Sequence, residues 1–245
     1  MRKINKKPII VTALALCLIV AAVGGTMAWL NSQDSLENVF TVGQFSDPTI
    51  DPDDPENPLD PETPDYKLNG HLYESNWEEN SKFVPGATIP KNPRVGIGEG
   101  SEDAYVYLWV NNNTKNNMVY FKLNENWEPV ENYYTEATLE AGDPEYEVSQ
   151  TFYTGGLFRY KVDETNNRLV AAQGDAWTTP AFDNVYVRND AVLSDLAKVD
   201  TNGDVEEVYT INVTALIHQA TSGDVTDLQT DADTWAKEQA TKLAQ

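Results

Sequence analysis

Hydrophobic positions divide the chain into three parts with different patterns. Residues 9–23 form an uninterrupted apolar run, and residues 46–65 contain few apolar positions. From residue 66 onward, short hydrophobic stretches alternate with turn residues such as Asn, Asp and Gly. This third pattern is typical of short strands joined by turns, so it predicts an all-β sandwich or barrel.

One segment of the third part has the pattern of a central strand. In Ala104–Val110 (AYVYLWV), aromatic residues alternate with Val and Leu, so both faces are apolar. Val205–Ala220 is the longest predicted strand, and Asn202-Gly203 before it predicts a hairpin turn. Further strands are predicted at Met118–Leu123, Glu147–Tyr153, Leu157–Val162, Arg168–Ala172 and Val185–Arg188, with a hairpin loop at Asp163–Asn167.

Two stretches interrupt the strand pattern with helical spacing. Asp190–Lys198 predicts a short helix, and Asp231–Leu243 predicts a longer C-terminal one. Thr230 and Asp233 have the spacing of a capping box at its start. We expect Trp235 to hold this helix against the sheet.

The first part of the chain has the pattern of an export signal. Met1–Pro8 carries four basic residues and no acidic one, the apolar run Ile9–Val23 follows, and two glycines end it. This order predicts a secretory signal peptide that is cleaved between Ala28 and Trp29. A membrane anchor is the alternative, because extension of the run past the cleavage site nearly reaches the about 20 apolar residues of a membrane span.

A short strand pattern follows the predicted cleavage site. From Leu36, alternate positions place Leu36, Asn38, Phe40 and Val42 on one side and Val39, Thr41 and Phe45 on the other. Leu36, Val39, Phe40 and Val42 are the predicted donor-strand residues. A single strand is not stable in water. This segment must therefore add to a sheet of its own domain or of a neighbouring chain.

The second part of the chain, Ser46–Asp65, predicts an extended linker. Its prolines, at positions 48, 52, 55, 58, 61 and 64, recur nearly every third residue, as in polyproline II. Eight acidic residues and no basic one add mutual repulsion. The rise of about 3.1 Å per residue gives an extended reach of roughly 50–60 Å. An inert spacer from the cell surface is the alternative interpretation.

These patterns divide the chain into four predicted parts. They are a signal peptide at 1–28, an N-terminal strand segment at 29–45, an acidic proline-rich linker at 46–66, and a β-sandwich domain with a C-terminal helix at 67–245.

Charge and cysteine usage narrow the function classes. The chain has 17 basic and 39 acidic residues, a net charge of -22, which disfavours binding to nucleic acid or to an anionic membrane.

Its one cysteine, Cys17, lies in the apolar run, so the processed protein has no thiol. Stability must then come from a hydrophobic core, and thiol catalysis is excluded.

The sequence contains no recognisable catalytic motif. His71 and His218 are the two histidines of the chain, too few for a zinc shell of histidines, and neither lies in a motif of a serine triad. We expect each to be a surface or strand residue, and we predict no catalytic residues and no required cofactor.

One acidic loop has the alternating oxygen ligands that calcium prefers. Asp200, Asn202, Asp204 and Glu206 occupy every second position. The glycine comes too early for an EF-hand, and the twelfth-position Glu is missing. The alternative is a plain Asn-Gly hairpin with acidic residues facing water.

Short motifs along the chain occur in a specific combination. Gly24–Leu30 (GGTMAWL) is followed by Asp34-Ser35 and by Asn38–Gly43 (NVFTVG). Further motifs are Trp77, Val84-Pro85-Gly86, Pro93–Val95 and Ala104–Tyr107, with a looser match at Ala215–Ala220. Together they resemble the SipW-type signal peptide, mature N-terminus and first sandwich strands of the TasA/camelysin family. Ile97 and Tyr107 depart from the family pattern, which usually has Asn and often Arg there.

The resemblance implies a fold, a location and partners. It implies a jelly-roll-like β-sandwich, secreted by a Gram-positive bacterium to its surface or biofilm matrix after cleavage by a SipW-type signal peptidase. Some members form matrix fibres in which the N-terminal strand of one subunit completes the sheet of the next.

We therefore expect a non-enzymatic structural protein that pairs with copies of itself or with related matrix subunits. Membrane contact is expected only through the uncleaved signal segment. A monomeric surface adhesin on a stalk is the alternative, and a camelysin-like metallopeptidase ranks last.

Overall fold

The structure, a computed structural model, describes residues 38–40, 45–54, 56, 59, 68–69, 71–76, 83–162, 167–202, 204–220 and 228–245. Residues 36–245 belong to one compact unit. The predicted signal peptide, its cleavage residues Ala28 and Trp29, and the strand residues Leu36 and Val42 lie outside the described residues.

Most regular structure in the described residues is β-strand. The strands in the N-terminal half are β1 (Asn38–Phe40), β2 (Leu68–Asn69), β3 (Leu72–Tyr73), β4 (Thr88–Pro90), β5 (Arg94–Ile97), β6 (Ala104–Asn112), β7 (Val119–Phe121) and β8 (Trp127–Glu136). The remaining strands are β9 (Tyr153–Tyr160), β10 (Arg168–Leu169), β11 (Ala176–Trp177), β12 (Asn184–Val187), β13 (Ala197–Val199), β14 (Val205–Val208) and β15 (Ile211–Gln219). The helices are α1 (Leu193–Leu196) and α2 (Leu228–Leu243), with a 3₁₀ turn at Lys115–Asn117.

The strands form two larger sheets and a small hairpin. The nine-stranded sheet has the order β1-β15-β6-β9-β7-β12-β4, with β10 paired to β6 and β8 paired to β9. The four-stranded sheet has the order β11-β5-β3-β2, and β13 pairs with β14. The antiparallel pair β6–β15 runs over nine residues, from Asn112 opposite Ile211 to Ala104 opposite Gln219.

The two larger sheets share one apolar core. Val95 and Ile97 of β5 belong to the same buried cluster as Val106 and Leu108 of β6, and all four are fully buried. Burial of apolar surface between sheets is the main stabilising contribution in such folds. The structure confirms the prediction of an all-β, sandwich-like fold with a C-terminal helix.

Helix α2 covers the second face of the nine-stranded sheet. Ala232, Ala236 and Ala240 recur every fourth residue, so they lie on one helix face, and they are buried in a cluster with Tyr107 of β6. Trp235, predicted to hold the helix, is only partly buried beside them. Strand β6 is therefore covered on both faces, which explains why its first seven residues, Ala104–Val110, are apolar on both faces.

The start of α2 differs from the prediction. The helix begins at Leu228, so Thr230 and Asp233 lie inside it and do not form a capping box at its start. Asp233 instead accepts a hydrogen bond from the buried hydroxyl of Tyr107 (2.6 Å) and forms an ion pair with Arg159 (2.6 Å). This polar network joins the helix to β6 and β9.

Strand β8 is the longest in the described residues, with 10 residues, and the sequence pattern did not predict it. It pairs only with β9 among the described strands, and most of its side chains are exposed or half-buried, so it needs no regular apolar alternation. The pairing is irregular between Pro129 and Tyr134, where Asn132 has a φ of 66°.

Three predicted elements have the wrong extent. Glu147–Phe152 is irregular apart from a turn at Val148-Ser149, and only Tyr153 belongs to a strand. Val205–Ala220 is interrupted at Tyr209-Thr210, between β14 and β15. Asp190–Lys198 contains a helix of only four residues, because the chain is already extended at Ala197 (φ -151°, ψ 154°).

Candidate assembly site at the edge of the large sheet

The N-terminal strand β1 lies on the outer edge of β15. The two strands run parallel, with Asn38 opposite Ala215, Val39 opposite Leu216 and Phe40 opposite Ile217. Val39 and Phe40, two of the four predicted donor-strand residues, thus lie in a sheet of their own chain. The sequence had left open whether the strand pairs with its own domain or with a neighbour.

Strand β15 needs a partner at this edge because its middle is deeply buried. Ala215, Leu216 and Ile217 are fully buried, and backbone N–H and C=O groups in such a place must be hydrogen-bonded. Strand β1 covers these three residues of the nine in β15. In the described part of the chain, no other strand pairs with this edge, so Ile211–Thr214 extend beyond β1.

Residues 45–54, here called the docked segment, follow β1 and lie on the domain. The amide of Gly98 donates to the carbonyl of Ser46 (2.8 Å), and the amide of Ser46 donates to the hydroxyl of Ser101 (3.0 Å). A side chain at Gly98 would place its Cβ 2.4 Å from the carbonyl oxygen of Asp47. The glycine-rich stretch GIGEG therefore lets two backbones approach closely.

Asp175 is the central anchor of the docked segment. One oxygen of its carboxylate accepts hydrogen bonds from the backbone amides of Thr49 (2.5 Å) and Ile50 (2.8 Å). The other oxygen accepts from the amide of Glu99 (2.9 Å), in the loop after β5. Hydrogen bonds to an ionised acceptor are stronger than those between neutral groups.

Acidic side chains of the docked segment bind partners on the four-stranded sheet. The Tyr73 hydroxyl donates to Asp51 (2.9 Å), and Arg94 forms an ion pair with Asp53 (2.8 Å). These acids were predicted to keep the linker extended by repulsion, whereas in residues 45–54 they attach it to the domain. The sequence predicted an extended linker that would hold the N-terminal strand away from the domain. This prediction is wrong for residues 45–54, which lie on the domain.

His71 lies beneath the docked segment. Its Nδ1 is 2.7 Å from the carbonyl oxygen of Gly96, and its Nε2 is 3.3 Å from a carboxylate oxygen of Asp47. Burial lowers the pKa of His71, and the Gly96 carbonyl and Asp47 only partly offset this effect. His71 is thus a buried residue that joins the sheet to the docked segment. The expectation of a surface or strand residue is wrong for His71, which is buried in the turn between β2 and β3.

His218 is part of the contact between sheet and helix. Its Nδ1 is 2.7 Å from the carbonyl oxygen of Gln219, and its ring packs edge-on against Trp235 at 5.2 Å.

The four calcium candidates lie in and beside the β13–β14 turn. One oxygen of Asp200 accepts hydrogen bonds from the amides of Asn202 and Asp204, both 2.8 Å long. Glu206 points across the hairpin and pairs with Lys198 (3.0 Å). Across the described residues, no group of three or more His, Cys, Asp and Glu side chains has the geometry to hold a metal ion.

Comparisons with protein-family models, with curated proteins and with solved structures found no match to this chain. The TasA/camelysin resemblance therefore stays a prediction from sequence motifs. Within the residues that the structure describes, no helix combines the length and the apolar character that a membrane span needs.

Proposed function

We propose that this protein is a secreted structural subunit that assembles by strand exchange between copies. The observation that supports the proposal is the parallel pairing of β1 with the buried strand β15. The same edge can accept the equivalent segment of another chain, because the interacting groups are identical in both arrangements. The family resemblance adds export by a SipW-type peptidase, a jelly-roll fold and a Gram-positive surface or matrix to the proposal.

A donor from another copy can follow the register of β1 along β15. In this register its Leu36 lies opposite Val213 and its Val42 opposite Gln219. Such a donor forms a head-to-tail contact that does not close on itself.

Exchange requires the docked segment to be released. Between Phe40 and Phe45 the chain spans at most roughly 15–18 Å, so a strand tethered to a docked segment has a short reach. Once the docked segment leaves the domain, the six prolines of residues 46–65 favour an extended linker with a reach of roughly 50–60 Å. The docked segment thus acts as a latch that favours the unexchanged form.

Deletion and complementation test this function. The protein starting at Trp29 should form fibres visible by electron microscopy, and a variant lacking residues 29–45 should remain monomeric in sedimentation velocity. A synthetic peptide of residues 34–45 should raise the melting temperature of the deletion variant, whereas a scrambled peptide of the same composition should not. Polymerisation of the deletion variant at the rate of the full protein would contradict the proposal.

A further inference from the structure

We propose that a groove beside the C-terminal end of α2 binds an uncharged saccharide chain. The groove lies between the end of β6, the irregular part of β8, the Gly155-Gly156 pair of β9, and α2. Its volume is about 430 Å³, within the range of ordinary ligand sites. It lies on the face of the sheet that α2 covers. Ligand binding in this groove does not require the strand exchange proposed above.

The lining of the groove is neutral. Its fifteen residues include no Asp, Glu, Lys, Arg or His, although the chain has 39 acidic residues and a net charge of -22. A cationic ligand would find no partner among these residues, and the field of the surrounding acidic surface repels an anion. Uncharged polar ligands are the class that this chemistry favours.

Three aromatic residues supply the apolar surface of the groove. Trp109, Tyr133 and Tyr134 line it, and Tyr134 is 36% exposed. The Tyr134 ring packs edge-on against Tyr153, with centroids 5.6 Å apart, and Lys237 Nζ lies 5.6 Å from the centre of the Tyr133 ring. Because Lys237 lies over a face of the Tyr133 ring, the exposed Tyr134 supplies the ring face against which the C–H face of a pyranose packs.

Asparagine amides supply the polar part of the groove. Asn111, Asn117 and Asn132 line it and make no side-chain hydrogen bond to any described residue. Each amide offers two donors and an acceptor, which match neighbouring sugar hydroxyls. Asn112 differs, because its amide donates to the carbonyls of Val119 (2.8 Å) and Thr154 (2.9 Å) and thereby holds the strands together.

The backbone around the groove is shaped by close contacts. A Cβ at Gly156, which has a φ of 133°, would lie 2.4 Å from Cα of Tyr134, and a Cβ at Gly155 would lie 2.8 Å from the carbonyl oxygen of Val110. Only glycine lets β8 approach β9 here. Asn117 and Asn132 have positive φ values of 54° and 66°, which Asn tolerates better than most residues. The backbone that carries the tyrosines and asparagines is therefore fixed by these contacts before a ligand binds.

A second depression makes the groove long enough for a chain of sugar units. Tyr133 and Thr241 line both the groove and an adjoining space of about 420 Å³ along the exposed face of α2. Lys237, Glu238 and Lys242 also line this adjoining space, so the neutral lining belongs to the groove itself. A linear oligosaccharide can extend from the groove past Tyr133 into this space. This continuity favours a chain over a single monosaccharide.

Titration with defined hexasaccharides tests the groove. Cellohexaose, maltohexaose and chitohexaose are the uncharged probes, and hexagalacturonate is the charged comparison. We expect at least one uncharged probe to bind in isothermal titration calorimetry and to shift the NMR side-chain amide signals of Asn111, Asn117 and Asn132, and we expect hexagalacturonate not to bind. Failure of all three uncharged probes, or equal binding of hexagalacturonate, overturns the proposal.

Matched substitutions locate the binding. Tyr134→Ala and Asn111→Ala should each weaken binding about tenfold, the effect of losing about 1.4 kcal/mol. Tyr146→Ala and Asn113→Ala are the controls, because Tyr146 is similarly exposed (39%) and neither residue lines the groove. Asn111 makes no side-chain hydrogen bond to described residues and has no positive φ, so its substitution keeps the test valid if Tyr134→Ala unfolds. Equal losses in the control variants overturn the assignment.

Discussion

Replacement of Asp175 by asparagine should release the docked segment without unfolding the domain. The carboxylate accepts hydrogen bonds from the amides of Thr49, Ile50 and Glu99. An asparagine side chain retains one acceptor oxygen and turns an N–H group toward at least one backbone amide. Two donors then face each other, so at least one of the three hydrogen bonds is lost.

The size of this effect follows from the number and exposure of the bonds. A net contribution of about 0.5–1.5 kcal/mol for each hydrogen bond gives an upper total of roughly 4 kcal/mol. Exposure to solvent reduces this total, and we expect a loss of about 2 kcal/mol in the free energy of docking. Such a loss raises the released fraction of the segment about 30-fold.

Hydrogen exchange measures this release directly. Amides of residues 49–50 should exchange about 30-fold faster in Asp175→Asn, while amides of β6 should be unchanged. Asp183→Asn is the control, because it removes the same charge from an exposed side chain that has no contact with the docked segment. If release limits strand exchange, Asp175→Asn should also shorten the lag of fibre formation in light scattering. Unchanged exchange at residues 49–50 would refute the anchoring role of Asp175.

Three further predictions follow from other contacts. Gly98→Ala should detach the docked segment, because its Cβ would lie 2.4 Å from the Asp47 carbonyl oxygen, and limited proteolysis should then cut within residues 45–65. Gly100→Ala controls for backbone strain in the same loop, because its φ is 79° but its Cβ would meet no atom within 4 Å. Tyr107→Phe should reduce the free energy of unfolding by about 1–2 kcal/mol in urea titrations, because it removes the buried 2.6 Å bond to Asp233. The lowered pKa of His71 means that the unfolded chain takes up its proton first on acidification. The contribution of His71 to the free energy of unfolding should therefore be constant above about pH 6.5 and should fall by up to about 1.4 kcal/mol per pH unit below it. In His71→Asn, the free energy of unfolding should depend less on pH in this range.

Patterns that depend on burial were predictable from the sequence. Ala104–Val110 is apolar on both faces, and β6 is indeed covered by the second sheet on one side and by α2 on the other. The C-terminal helix was predicted by its periodicity, although its buried residues are alanines, which carry a weaker signal than Trp235. Strand β8 was missed because it pairs at an exposed edge, where no alternation of apolar residues is required.

The docked segment was not predictable in the same way, because its partners are distant in sequence. Asp51 binds Tyr73, Asp53 binds Arg94, and Asp175 binds amides more than 120 residues away. The sequence shows only a run of prolines and acids, whose local physics favours an extended chain. Which acids find partners depends on the arrangement of the four-stranded sheet, and that arrangement is set by the whole fold.

The docked segment and β1 together decide between the two states of the proposed subunit. In a single chain, β1 competes for its own β15 at a high effective concentration, because the docked segment holds it nearby. A donor from another copy can pair with the same edge, but only after the contacts to Asp175, Tyr73 and Arg94 are lost. Assembly is therefore favoured when the pairing between copies outweighs those contacts. Variants that weaken docking should lower the protein concentration at which fibres form, and variants that shorten the donor strand should raise it.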